Sequence, residues 1–327
     1  MRANPSKSPV VYSTFDSHVS AGAMRDVKAP LDGRVLVVAT DGSRESRAAT
    51  AVASVLGRRH RTTTVALRAF DYSADSGRSS VVVAPWGRSY DALDIARHLL
   101  TQELNRDIAE VETWTVRAVA GRPAHAIAAE ARALDAALVV MGLRRQRPDV
   151  DVSAHDTVRQ VLRESNVPVL ATTGSLAGAP RKIVVGVDFG LESMRIAHAA
   201  LSVLDDDGEL VLAHVQADHR PGGRLRPSTA LGDETSIASL ERLRRALPAR
   251  SNVSVEVVHE RGDVAASLLA SATRQHADCI AVGAPTHTLD DGVTIGVVAN
   301  TLMKAGLKSL LMIPSVRRSG AAGPYAN

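Results

Sequence analysis

The chain writes one unit of sequence twice, and that repetition narrows its folds more than any other feature. "VLVVATDGSRES" (Val35 to Ser46) returns as "IVVGVDFGLES" (Ile183 to Ser193), an apolar run ending in Asp with a Ser five residues on. Asp41 and Asp188 lie 147 residues apart, as do Ser46 and Ser193. "VAGRPAHAIAAEARALDAALVVMG" returns as "HERGDVAASLLASATRQHADCIAVG"; Gly121 and Gly262 are 141 apart, and so are Gly142 and Gly283. "DTVRQVLRESNVPVLAT" returns as "VVANTLMKAGLKSLLMI", with Leu170 and Leu311 at the same spacing of 141. Constant offsets across three blocks mark two copies of one fold.

Each copy alternates short apolar runs with amphipathic stretches. Strands are expected near 34–40, 63–70, 113–120, 137–141 and 167–173, then near 182–187, 209–215, 252–259, 279–283 and 308–313. Helices are expected near 44–57, 89–110, 122–134 and 155–165, then near 191–205, 233–247, 263–276 and 296–306. Continuous apolar strands alternating with helices predict an α/β fold, a parallel sheet covered on both faces. Aromatics are 3% of the chain, so the core falls to Val, Leu, Ile and Ala, which suits such a sheet. The expected division is a disordered leader (1–33), a first domain (34–173), a small flexible linker "TGSLAGAP" (174–180 with Thr173), a second domain (181–314) and a frayed tail (315–327). The loops 71–89 and 217–232 read equally as functional lids or disorder.

The longest apolar runs have strand length, so no segment reads as a membrane span. A net charge of +4 is spread along the chain rather than gathered into a basic stripe, which argues against specific nucleic-acid binding. The single cysteine, Cys279, excludes an intrachain disulfide and a Cys-based zinc site; it sits in the apolar run "ADCIAVG" and reads as a buried, inert thiol. A reducing, cytoplasmic setting is expected. The glycine signatures of dinucleotide, P-loop and α/β-hydrolase sites are missing. The scattered histidines predict no metal site. The clusters "GRRHR" (Gly57 to Arg61) and "RLRRAL" (Arg242 to Leu247) read as solvated faces, and Asp205-Asp206-Asp207 before Gly208 as a helix-ending turn.

Taken in order, "VVATDGSRES", "GRPAHAIAAEA", "ALVVMG" and "TVRQVLRESNVPVLAT", each with its second-copy counterpart, make the chain similar to the universal stress protein family in its tandem form. The resemblance covers about residues 34–314. It implies two tandem Rossmann-like (HUP-type) domains, each a five-stranded parallel sheet of order 3-2-1-4-5 with helices on both faces. Strands 1 and 4 would then flank the switch point, where such sheets bind ligands. It also implies pairing of the two domains through their last strands, "VPVLAT" and "KSLLMI", as an internal pseudo-dimer, with further homodimerisation left open.

Family members that bind ATP carry G-x2-G-x9-G-[ST] after strand 4, where glycines admit phosphate to backbone N–H groups at a helix start. The first copy keeps Gly142, but Arg145, His155 and Asp156 stand at the remaining signature positions. Asp156 could cap its own helix and occupy the anion's place, while Arg144, Arg145 and Arg147 could neutralise phosphate. The second copy keeps Gly283 and Gly296 but has Thr286 and Val297 at the others, with Asp290 and Asp291 repelling phosphate. Asp41 and Asp188 would meet the nucleoside or serve as helix caps. The expectation is a non-catalytic stress-response binding or regulatory protein with degenerate nucleotide sites and no cofactor. The alternative is an ATP or AMP sensor using Asp41, Gly142, Arg144 and Arg145, or Asp188, Gly283 and Gly296.

Overall fold

The computed structural model describes residues 31–71, 81–83, 89–109, 111–144, 153–190, 192–217, 230–289 and 292–315. Most of the expected leader, most of both long loops, the tail beyond 315, Arg145, Arg147, Asp290 and Asp291 lie outside them. The first copy comprises β1 (Val35–Ala39), α1 (Arg44–His60), β2 (Thr63–Phe70), β3 (Val81–Val83), β4 (Ser89–Asp91), α2 (Ala92–Asp107), β5 (Thr115–Ala120), α3 (Pro123–Ala133), β6 (Leu138–Gly142), α4 (Ser153–Ser165) and β7 (Val169–Thr172). The second comprises β8 (Lys182–Gly186), α5 (Glu192–Val203), β9 (Glu209–Gln216), α6 (Ala230–Ala246), β10 (Ser254–Arg261), α7 (Val264–Arg274), β11 (Cys279–Ala284), β12 (Thr286–Leu289), β13 (Gly292–Ile295), α8 (Val297–Ala305) and β14 (Ser309–Pro314).

Ten of these strands form one sheet, in the order β10-β9-β8-β11-β14-β7-β6-β1-β2-β5. Within each copy the strands run parallel in the order 3-2-1-4-5, as the resemblance implies. The copies meet where β14 pairs antiparallel with β7: Leu311 faces Leu170, Met312 faces Val169 and Leu310 faces Ala171. Leu170 and Leu311 are repeat equivalents, so the register is self-complementary and a pseudo-two-fold axis passes between them. Two hairpins stand outside the sheet, β3 with β4 and β12 with β13. The second replaces the open loop expected after the fourth strand of the second copy.

Period-two alternation decides the core. Leu36, Val38, Leu170, Ile183 and Leu311 point to one face, under α1, α2, α5 and α6. Val37, Val139, Val169, Val184 and Met312 point to the other, under α3, α4, α7 and α8. Each cluster contains residues of both copies, so the core divides by sheet face and not by domain. The outer edges are β5 and β10, and both carry ion pairs: Arg117–Glu130 at 2.6 Å on β5, Glu260–Arg274 at 2.5 Å and Arg261–Asp233 on β10. Among the described residues no helix is long and apolar enough to cross a membrane.

Two expectations need correction at the junction between the copies. The linker is packed: Leu176 and Ala179 are buried in the first-face core, and the Arg44 side chain donates to the Gly174 carbonyl at 3.2 Å. The cluster "GRRHR" is not simply a solvated face. Helix α5 ends against the end of α1, leaving the unpaired carbonyls of a helix C-terminus near cationic side chains. Arg59, 14% exposed, donates to the Leu204 carbonyl and lies 3.0 Å from Asp205 and 3.2 Å from Asp206. His60 is buried, with Nε2 donating to the Ser202 carbonyl at 2.7 Å and Nδ1 2.6 Å from Asp32. Arg250 donates to the Leu201 carbonyl at 2.8 Å and lies 2.5 Å from Asp206.

A core shared this way should unfold as one unit. Leu170→Ala should lower the unfolding free energy by about 2–5 kcal/mol. Trp86 and Trp114 both lie in the first copy, so tryptophan fluorescence reports that copy while circular dichroism reports both; their urea transitions should coincide.

Candidate functional site

Each copy has a crevice at the carboxyl ends of its first and fourth strands, the switch point of the sheet. In the first copy Asp41 leaves β1 and its Oδ1 accepts the Ser43 N–H at 2.9 Å, an Asx turn that sets up α1. The helix cap is Ser43, whose side chain accepts the Ser46 N–H at 3.2 Å. Asp41 is thus a turn residue rather than the cap. Its other oxygen lies 3.1 Å from Arg144 Nη2, and Arg144 Nε lies 3.8 Å from Glu45. Of the three arginines expected to neutralise phosphate, Arg144 is therefore already engaged by two carboxylates, while Arg145 and Arg147 lie outside the described residues. Burial pushes the Asp41 carboxyl up, but hydrogen bonds from Ser43 and Ser46 and the Arg144 charge outweigh it and hold the group below the usual carboxylate range. The crevice measures about 230 Å³, below the ~300 Å³ at which small-molecule pockets usually begin. Helix α4 starts at Ser153, which places Asp156 inside the helix and not at the residue before it.

Gly142 lines this crevice, but its role is explained by packing. A Cβ there would come within 2.9 Å of both Glu45 Cβ and the Ser46 backbone nitrogen. The glycine lets the end of β6 lie against the start of α1. Thr172 reinforces the contact, its hydroxyl donating to the Glu45 carbonyl at 3.0 Å. Gly283, its equivalent, is less tightly bound, since a Cβ there would meet only the flexible end of Ile196, at 3.3 Å.

The second crevice brings Asp188, Gly283 and Gly296 together and measures about 530 Å³. Asp188 Oδ1 accepts the Gly190 N–H at 2.8 Å and the Ser193 hydroxyl at 2.8 Å, repeating the turn of Asp41. Among the described lining residues none is Lys or Arg, and Asp188 and Glu192 both contribute carboxylates. Gly296 caps α8 without a side-chain hydrogen bond, and the next residue, Val297, is 81% exposed. The helix start borders the crevice, and among the described residues no side chain caps it.

The two crevices also differ at positions that the motif analysis passed over. Where the first copy has Gly42 at φ 79°, the second has Phe189 at φ 60°. A bulky residue in this left-handed region is strained, by about 1–3 kcal/mol. Phe189 is 39% exposed, and its ring lies against His214, tilted by 36° with centroids 4.3 Å apart. Strand register makes His214 the equivalent of Arg68, and each caps the same backbone group: Arg68 Nε donates to the Thr40 carbonyl at 3.2 Å, His214 Nδ1 to the Val187 carbonyl at 2.7 Å. Beyond His214 stands its cross-strand neighbour His259, with centroids 5.6 Å apart. The His259 side chain is 8% exposed, and its buried Nε2 has no hydrogen-bond partner among the described residues. Burial is the main force lowering the His259 pKa; nearby Asp233, 3.8 Å away, opposes it, while His214 and Arg261 add to it. The signal for Phe189 was present in the offset of 147, which aligns it with Gly42. Pairing His214 with His259 required the strand register.

Cys279 is fully buried, which pushes its thiol up to about 12 and leaves it unreactive. Among the described residues no cluster of His, Cys, Asp and Glu could hold a metal.

A family model described as "Universal stress protein family" matches residues 33–173 and again 180–314. Among solved structures, a universal stress protein from Archaeoglobus fulgidus is similar over 86% of this chain and 98% of its own, with a TM-score of 0.58 and 16% identity. A protein from Pseudomonas aeruginosa described as a universal stress protein is similar over 87% of this chain and 94% of its own, with a TM-score of 0.54 and 17% identity. At such identities the likeness is one of fold. No curated protein matches the chain.

Two measurements follow from this geometry. Gly142→Ala should cost about 1–3 kcal/mol and Gly283→Ala less than about 1 kcal/mol, compared by urea denaturation. His259 resists protonation when folded, so the unfolded chain takes up the proton first as pH falls through about 6.5. Stability should therefore decline between pH 7.5 and 5.5, and the decline should be shallower in His259→Phe.

Proposed function

The chain belongs to the universal stress protein family, and from that premise we propose that it is a non-catalytic, cytoplasmic stress-response binding protein in which only the second domain keeps an open ligand crevice. The observation that carries this reading is the contrast at equivalent places: Arg144 bound to Asp41 in a crevice of about 230 Å³, against about 530 Å³ in the second domain with no Lys or Arg among the described lining residues. Charge limits what the second crevice can hold. Asp188 and Glu192 face it, Glu192 paired with Arg195 at 2.9 Å; with no Lys or Arg among the described lining residues, the Asp188 carboxylate disfavours a triphosphate by like-charge repulsion. An uncharged or singly charged planar molecule suits the apolar walls and the Phe189–His214 pair better. The signature residues absent at Thr286 and Val297 agree with a degenerate nucleotide site.

No turnover is proposed. The Ser193 hydroxyl is buried and bonded to Asp188 within the turn, and Asp41 is engaged with Ser43 and Arg144. These groups shape the backbone rather than await a substrate. The pairing of β7 with β14 would serve in one chain as the contact that joins separate protomers in single-domain relatives. A second reading, an ATP or AMP sensor, is favoured by one feature: the start of α8 at Gly296, where no side chain among the described residues caps the helix in competition with a phosphate.

Calorimetric titration with ATP, ADP, AMP and adenosine, each with Mg²⁺, separates the two readings. Our reading expects no micromolar binding of ATP. Micromolar ATP binding that is abolished by Gly283→Arg would replace it with the nucleotide sensor.

A further inference from the structure

The repeat places unlike charges at equivalent positions beside the pseudo-two-fold axis. At the offset of 147 that relates Asp41 to Asp188, Arg58, Arg59 and His60 correspond to Asp205, Asp206 and Asp207. The end of α1 is cationic and the chain just past the end of α5 is anionic. These segments are the ones in contact: Arg59 lies 3.0 Å from Asp205 and 3.2 Å from Asp206, while it and His60 donate to the Leu204 and Ser202 carbonyls. Arg250 of the second domain lies 2.5 Å from Asp206 and holds that carboxylate at the junction.

The strand contact cannot tell the domains apart. Its register is self-complementary, and Val169-Leu170-Ala171 and Leu310-Leu311-Met312 are alike in being apolar and buried. By geometry alone β7 could pair with another β7, or β14 with another β14. The helix ends discriminate. Two first domains so paired would bring Arg59 against its own copy, and two second domains would oppose Asp205 and Asp206 to theirs, offset in part by Arg181 and Arg250 of the same domain. Like charges in a half-buried contact repel strongly, and helix-end carbonyls would lose their donors.

We propose that this contact is the pairing code of the molecule: the end of α1 accepts an anionic helix end and rejects a cationic one, so a first domain joins only a second domain. The apolar strands supply the cohesion and the charged ends supply the selectivity. A second copy of the chain is subject to the same code and cannot dock like-to-like through this edge. The packed junction, with Leu176 and Ala179 in the core, directs the pairing within one chain.

Charge reversal in the full-length protein tests the code, read by hydrogen–deuterium exchange of peptides covering β7 and β14. Arg59→Asp and Asp205→Arg should each speed exchange there by about tenfold or more, and the two together should bring it back to within about threefold of the parent, as a double-mutant cycle for a direct charge pair requires. Arg59→Met, which keeps the aliphatic stem, should do less harm than Arg59→Asp. Asp206→Lys, at a position 66% exposed that can be changed without disturbing the core, should also speed exchange. If the double reversal is no better than the worse single one, if Met and Asp at position 59 are equivalent, or if Asp206→Lys has no effect, the contact is packing alone and the proposal falls.

Discussion

The antiparallel seam between β7 and β14 is the constraint from which the rest of this architecture follows. Each domain ends in a short, apolar strand whose outer edge would otherwise present unpaired backbone groups to water. Joining the two edges satisfies those groups and makes one ten-stranded sheet. Because side chains alternate across a strand, the join also fuses the helical layers on each face. The apolar core therefore runs through the domain boundary instead of stopping at it, and the segment between the domains is drawn into it.

On that nearly symmetric frame the two crevices differ at few positions. Gly42 becomes Phe189, Arg68 becomes His214, and Ala118, beside Arg68 in the sheet, becomes His259. The first set gives a crevice governed by charge pairs, with Arg68 2.8 Å from Glu103 and Arg144 on Asp41. The second gives an aromatic column and apolar walls. The turns after the first strands are otherwise alike, since Asp41 and Asp188 each accept the N–H two residues on. The backbone design is conserved between copies while the chemistry facing the crevice is not.

The fold was legible because its cause is written in period and repetition: strand and helix positions follow from apolar spacing, and the sheet order from the resemblance. The site was legible only in outline. Asp41, Gly142 and Arg144 do meet, as do Asp188, Gly283 and Gly296. But no sequence pattern shows that Arg144 is spent on Asp41, because that pairing depends on where two loops from distant strands arrive. Gly142 shows the same limit. As a motif letter it suggests room for phosphate, whereas in space it makes room for the backbone of α1. Arg59 and His60 read as surface because their partners, the carbonyls ending α5, lie 142 and more residues away.

With β7 and β14 consumed by each other, the ten-stranded sheet is left with two terminal strands, β5 and β10. Both are fringed with charge: Arg117 with Glu130 on one, Glu260 with Arg274 and Arg261 with Asp233 on the other. An incoming strand would have to strip water from those ions and displace their partners before forming its first backbone hydrogen bond. The sheet is in this sense self-terminating. A motif that adds strands edge to edge is halted at ten, and the same ladder that binds the halves together is kept from propagating into a fibre.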